Sequence, residues 1–231
     1  EPQEEEEAKG SVFSNQLMAL RNPALWTLAL ASAFMYIDRY GVNSWGIFFL
    51  QQGKGYSTVE ASAIIGVNAV AGIVGTIVAG MLSDRFFSRN RSIMAGFISL
   101  LNTAGFALML WLPRNYYTDI LSMVIFGATI GALTCFLGGL LAVDISSRKA
   151  AGAALGTIGI VSYAGAGFGE FLTGIIIDKT SVMENGTKLY DFHTLSQFWV
   201  AAGLISALLC FVTAVMVARR NASERRTLFS S

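Results

Sequence analysis

The chain has 231 residues, 54% of them hydrophobic and 13% charged, with a mean hydropathy of +0.56. That balance excludes an ordinary soluble domain and reads as an integral membrane protein. A formal net charge of +1 offers no bulk attraction for nucleic acid, and the two cysteines, Cys135 and Cys210, lie in separate apolar stretches without metal-ligand spacing, as small packing residues do.

Residues 1–22 open without a methionine, as a segment cut from a longer protein or a processed one would, and carry the run Glu4-Glu5-Glu6-Glu7, the composition of a solvated acidic linker. Leu17 to Leu20 begin a short surface helix, and Asn22-Pro23 starts the first membrane span. Length and freedom from charge predict six transmembrane helices in an all-α bundle over residues 23–220. The spans run from Pro23 to Gln51, Thr58 to Ser83, Ser92 to Leu112, Thr118 to Val143, Lys149 to Ile177 and Leu195 to Val217, followed by a basic tail over 221–231. Connections are short except from Asp178 to Thr194, where Glu184-Asn185-Gly186-Thr187 supplies turn chemistry; the glycosylation sequon it contains is the weaker reading.

Lys9, Arg21, Arg85, Arg89, Arg91, Arg148, Lys149, Arg219, Arg220, Arg225 and Arg226 gather on one side of this arrangement, against Lys54, Arg114, Lys179 and Lys188 on the other. The positive-inside rule then makes both termini cytoplasmic, as in a bacterial inner membrane. Small residues recur every fourth position at Ala71, Gly75, Ala79 and Ser83, at Gly152 and Gly156, and at Gly165 and Gly169, a spacing that lets helix backbones approach closely.

The first span holds the residues most in need of explanation, Tyr36-Ile37-Asp38-Arg39-Tyr40-Gly41-Val42-Asn43-Ser44-Trp45. In the apolar stretch from Trp26 to Gln51, Arg39 lies about 18 to 20 Å of helix from either end, too far to snorkel. Facing lipid there would cost about 2.5 to 3.5 kcal/mol, so the guanidinium belongs in the bundle interior or a water-filled cavity, where its planar fork suits phosphate or carboxylate. Tyr36, three residues earlier, shares its face. Asp38 points about 100° away and is expected to pair with another helix, or alternatively to take up a proton. Glu170 is a second intramembrane carboxylate that could balance Arg39, tune the organic group accepted, or bind a hydroxyl. Asn43, Asn68 and Thr134 are polar within spans and suit interhelical hydrogen bonds or contact with a substrate. His193 has no second imidazole, so neither a metal nor a cofactor is implied, and no nucleophile arrangement points to an enzyme.

Gly80-Met81-Leu82-Ser83-Asp84-Arg85-Phe86-Phe87-Ser88-Arg89-Asn90-Arg91 closes the second span, and resembles the Gly-x-x-x-Asp-Arg loop of the major facilitator superfamily. Together with Tyr-x-x-Arg-Tyr-Gly-x-x-x-Trp in the first span and Arg148-Lys149-Ala150-Ala151-Gly152 leading to Tyr163-Ala164-Gly165, it resembles the C-terminal half of the organophosphate:phosphate antiporters. The resemblance implies one half of a 3+3 inverted-repeat fold that works with an N-terminal six-helix half. It implies exchange of an organic phosphate ester (glycerol-3-phosphate, hexose phosphate or phosphoglycerate) for inorganic phosphate by alternating access, or else a membrane sensor of external phosphosugars. A stand-alone six-helix assembly is a rival of another class. By the same resemblance Arg39 meets the substrate phosphate, Tyr36 and Tyr163 line the cavity, and Gly80, Asp84, Arg85 and Arg89 form a conformational-switch loop. The family's Tyr-Gly-Pro in the fourth span is replaced by Ala132-Leu133-Thr134, which changes that cavity wall.

Overall fold

A computed structural model describes residues 17, 20–82, 91–147, 150–184 and 187–229. Asn22 caps the first span: its side chain accepts the Ala24 N–H and donates to the Ile145 carbonyl at 3.0 Å, so the cap also ties the beginning of the bundle to the end of the fourth span. Helix α1 (Pro23–Tyr40) passes into a π-helical turn, Gly41–Trp45, and continues as α2 (Gly46–Lys54). Gly55, at φ 68°, stops α2 in a left-handed conformation that a side chain would resist. Ser57 and Glu60 then form a reciprocal capping box for α3 (Thr58–Leu82), with the Ser57 N–H 2.9 Å from the Glu60 carboxylate and the Glu60 N–H 3.3 Å from the Ser57 hydroxyl.

The third span is α4 (Arg91–Trp111), and the fourth is α5 (Tyr116–Cys135), a second π-helical turn at Phe136–Leu140, and α6 (Leu141–Ile145). Helix α7 (Ala151–Thr180) leads through an antiparallel hairpin, β1 (Val182–Glu184) with β2 (Thr187–Leu189), to α8 (His193–Phe229). Of the expected turn residues, Glu184 and Thr187 pair across the two strands, and Asn185 and Gly186 lie outside the described residues. Two features differ from the sequence expectation. The spans one and four are not uniform α-helices, because a π-helical turn has no periodicity signal of its own. The last helix runs on to Phe229 through the segment read as a tail, since Asn221 to Phe229 contains neither Gly nor Pro to stop it.

Five of these helices are long and apolar enough to cross a membrane. The first span is the exception, its apolar run diluted by Asp38, Arg39 and Asn43. In the bundle α3 packs on α5, α1 on α7, α8 on both α1 and α4, and α4 on α5. Exchanging the first span with the fourth, the second with the fifth and the third with the sixth leaves this set of neighbours unchanged, and carries one π-helical turn onto the other.

Close approach at two of these contacts depends on missing side chains. A Cβ at Gly75 would collide with the Ala128 backbone, and one at Gly165 would stand 2.9 Å from Ala33 Cα. Gly152 and Gly156, expected to pack similarly, face open space. The deepest packing gathers Trp199, Phe106, Phe126 and Phe136, with Phe106 stacked on Trp199 at 5.5 Å between ring centres. By contrast, α3 and α7 leave apolar faces bare, among them Val70, Ile73 and Ile77 on α3 and Ile160, Phe168 and Phe171 on α7.

Candidate substrate site at mid-span

Arg39 sits at the last turn of α1, immediately before the π-helical turn. Its guanidinium carbon lies 5.4 Å from the centre of the Tyr36 ring, and its Nη1 donates to the Thr134 hydroxyl at 3.4 Å, a long bond. Thr134 in turn donates to the Ile130 carbonyl at 2.8 Å, so the hydroxyl presents lone pairs to the arginine. No carboxylate lies within ion-pair distance of Arg39 among the described residues. The charge is half-buried and opens, with Asn43, Asn68 and Thr134, onto a recess of about 410 Å³ walled by α1, α3 and α5.

Tyr36, Tyr40 and Tyr163 form an aromatic wall beside the arginine: Tyr163 meets Tyr36 edge-on at 5.3 Å and Tyr40 at 6.1 Å, and Tyr36 stacks on Tyr40 at 6.0 Å. Tyr163 is 60% exposed, so much of this wall faces out of the bundle. The six residues expected at the substrate therefore fall on one side of the first span. Tyr40 was not singled out from the sequence, although its place one residue after Arg39 and four after Tyr36 was a usable signal.

The two intramembrane carboxylates do not balance Arg39. Glu170 accepts the Trp45 indole N–H at 2.9 Å through one oxygen, while its other oxygen is buried without a partner. Its donor is an indole rather than a hydroxyl, and it bridges α7 to the π-helical turn. Asp38 is fully buried, turned about 100° around the helix from Arg39, and neither of its oxygens finds a partner, so the expected pairing with another helix is not made. Asn43 and Asn68 likewise open onto the recess. Thr134 makes its interhelical bond with Arg39, and further ones come from residues the sequence reading passed over: Asn102 to Thr129 at 2.9 Å, Ser162 to Ser32 at 2.7 Å and Ser206 to the Ala31 carbonyl at 2.8 Å.

A second cluster lies where the first, second and fourth spans meet the connections that follow α2 and α4. Lys54 and Asp119 form a sealed ion pair at 2.5 Å, and the Tyr56 hydroxyl donates to the other Asp119 oxygen at 2.7 Å. Arg114 lies 4.3 Å over the Tyr56 ring and donates to the Gly55 carbonyl at 2.8 Å. Burial, then the bond to Asp119, push the Tyr56 phenol up to about 12, so it stays a donor at any physiological pH. At the other end of the bundle Arg91 pairs with Asp144 at 2.9 Å. Gly80 ends near the close of α3 with open space around its Cα; Asp84, Arg85 and Arg89 lie outside the described residues, as do Asn185 and Gly186.

The profile of the Major Facilitator Superfamily matches residues 1–169. The chain belongs to that superfamily. It is accordingly a multi-pass membrane protein of a transport family, not of an enzyme family. The glycerol-3-phosphate transporter of Bacillus subtilis is 34% identical over 163 residues, covering 69% of this chain and 36% of its own length. A probable hexose phosphate transport protein of Chlamydia pneumoniae is 35% identical over 163 residues, with 69% and 35% covered. The membrane sensor protein UhpC of Escherichia coli is 29% identical over 174 residues, with 69% and 36% covered. The matched stretch is thus little more than a third of each relative.

A major facilitator fold is also what the coordinates resemble. A bacterial homologue of the human lysosomal transporter Spinster, solved inward-facing and unoccupied, superposes with a TM-score of 0.66 at 20% identity, over 87% of this chain and 50% of that one. The chain is therefore the length of half such a transporter.

Proposed function

We propose that this chain is the C-terminal six-helix half of a transporter that exchanges an organic phosphate ester for inorganic phosphate by alternating access. The observation that carries this reading is Arg39: a mid-span cation with no carboxylate partner among the described residues, opening onto a recess that supplies Asn43, Asn68 and Thr134. An anion with several oxygens would satisfy the guanidinium fork and the side-chain donors together. The names of the Bacillus and Chlamydia relatives support phosphate esters as the class.

The bare apolar faces of α3 and α7 flank the arginine and would meet the N-terminal half, which would supply the other side of the clamp. Phosphate drawing the two halves together makes the loaded, occluded state easier to cross than the empty one, hence exchange. Both termini would face the cytoplasm, with the Gly80-to-Arg89 loop at that surface biasing one packing over the other. The lysine and arginine distribution supports this orientation.

Reconstitution of the full-length protein into phosphate-loaded vesicles tests the proposal. Wild type should exchange inorganic phosphate for a phosphate ester, and Arg39→Lys, which keeps the charge but loses the fork, should lower phosphate affinity roughly 10- to 100-fold while still inserting. Undiminished exchange by Arg39→Lys would refute the site. Tight ester binding without any exchange would favour the phosphosugar sensor, the role in the name of the UhpC relative.

A further inference from the structure

Asp38 is the one acid in the first span, and the site does not use it. It turns away from Arg39 toward α4 and α8, where a Cβ on Gly203 would stand 2.6 Å from its Oδ2 and would collide with the Thr103 hydroxyl as well. Both carboxyl oxygens and Thr103 are buried, and the carboxyl has no hydrogen-bond partner. The donors around it are already committed. Thr103 donates to the Ser99 carbonyl at 2.9 Å, and Trp199, which crowds Gly41 on the next turn, donates its indole N–H to Thr173 at 3.2 Å.

Neither Thr103 nor Trp199 therefore has a hydrogen left for Asp38, and a sealed carboxyl with no donor is far less costly as the neutral acid than as the carboxylate. Among the described residues no titratable side chain faces the site from the packed elements: α4 carries only Arg91, at its far end; on α8 the nearest is Cys210, two turns beyond Gly203; on α7 Tyr163 and Glu170 engage Tyr36 and Trp45; on α1 itself Arg39 turns to Thr134. A metal cation would need several more oxygens than this pocket holds.

We propose that Asp38 is a proton-binding site, and that the proton it holds tunes the anion affinity of Arg39 next to it. With the acid neutral, the middle of the first span carries the unopposed charge of Arg39. When the O–H bond breaks, the electron pair stays on the carboxylate, the proton passes to water, and the negative charge cancels that field one residue away. Proton and anion then bind with positive linkage, which rests on the anion-binding reading above.

Two measurements on full-length protein separate the claims. The first is thermal unfolding of ligand-free protein from pH 5 to 9. The folded state retains a proton that the unfolded carboxyl releases near its usual value of about 4, so the wild-type unfolding constant should rise about tenfold per pH unit, up to the pH at which folded Asp38 itself ionises. Asp38→Asn, which mimics the neutral acid, and Asp38→Leu should lose that slope. Parallel pH profiles for wild type and a folded variant would overturn the proton site, and so would failure of both neutral replacements to fold, since the charge would then be required.

The second measurement is inorganic phosphate affinity over the same range. Phosphate ionises identically for both proteins, so the ratio of the wild-type to the Asp38→Asn dissociation constant should rise with pH; a constant ratio would overturn the linkage. If neither protein binds phosphate, the anion reading fails, while the unfolding data still judge the proton site.

Discussion

At the scale of single residues, the site is built from what Arg39 lacks. An arginine with a carboxylate partner in the same fold is a structural ion pair; here its partners are a ring face and a long bond to a threonine that is itself donating elsewhere. Thr134→Val removes that contact at nearly constant volume. It should leave stability close to wild type and weaken phosphate binding about 3- to 10-fold, readable by titration calorimetry. Unchanged affinity would put the phosphate away from the fourth span. Arg39 was legible in the sequence because a charge in mid-membrane is costly enough to demand a reason. Trp45 as the partner of Glu170, and the Lys54–Asp119 pair, were not, since each joins residues far apart in the chain and no local pattern marks the partner.

Among the elements, the first span is held at both ends and interrupted between them. Asn22 fixes its start to Ile145, Lys54 fixes its finish to Asp119, and the π-helical turn lies in between. The lower anchor is a neutral hydrogen bond, whereas the upper one is a buried ion pair whose value is seen when it is broken. Lys54→Ala would leave Asp119 charged and sealed, with Tyr56 as its remaining donor. A loss of about 3 to 5 kcal/mol is expected, measured as a fall in thermal midpoint of the purified protein. A shift near zero would mean that Tyr56 and water hold the carboxylate alone. Span positions were legible to within a few residues because length and apolar content suffice for that. The hairpin after α7 and the run of α8 to Phe229 were less so, because the first is too short to show alternation and the second depends on the absence of a stop signal.

At the scale of the whole molecule, packing is uneven over the surface. Helix α8 is packed against two helices, whereas α3 and α7 each press mainly on one and leave broad apolar faces. Lipid covers such faces as readily as protein does, so a measurement must choose. In full-length protein freed of native cysteines, single cysteines at Ile73 and Phe168 should cross-link to the other six helices, whereas one at Leu208, exposed on α8, should react with a lipid-soluble probe instead. Equal lipid labelling at all three positions would argue that these faces form no inter-half contact. The exchangeable pattern of neighbours was not readable from periodicity, because most of the spans are apolar nearly all round and carry no clear stripe to say which face meets which helix. It entered the sequence reading only through resemblance, and the contacts now display it directly.

One feature of the first span reaches beyond the static picture. A turn that holds an extra residue lets the helix beyond it swivel: returning that residue to ordinary winding rotates everything downstream by about 100° while the span stays continuous. In this chain the pivot falls directly after Arg39, so Asn43 and Trp45 would sweep around the axis as the arginine stayed in place. The grip of Glu170 on Trp45 is the latch that such a twist must first release.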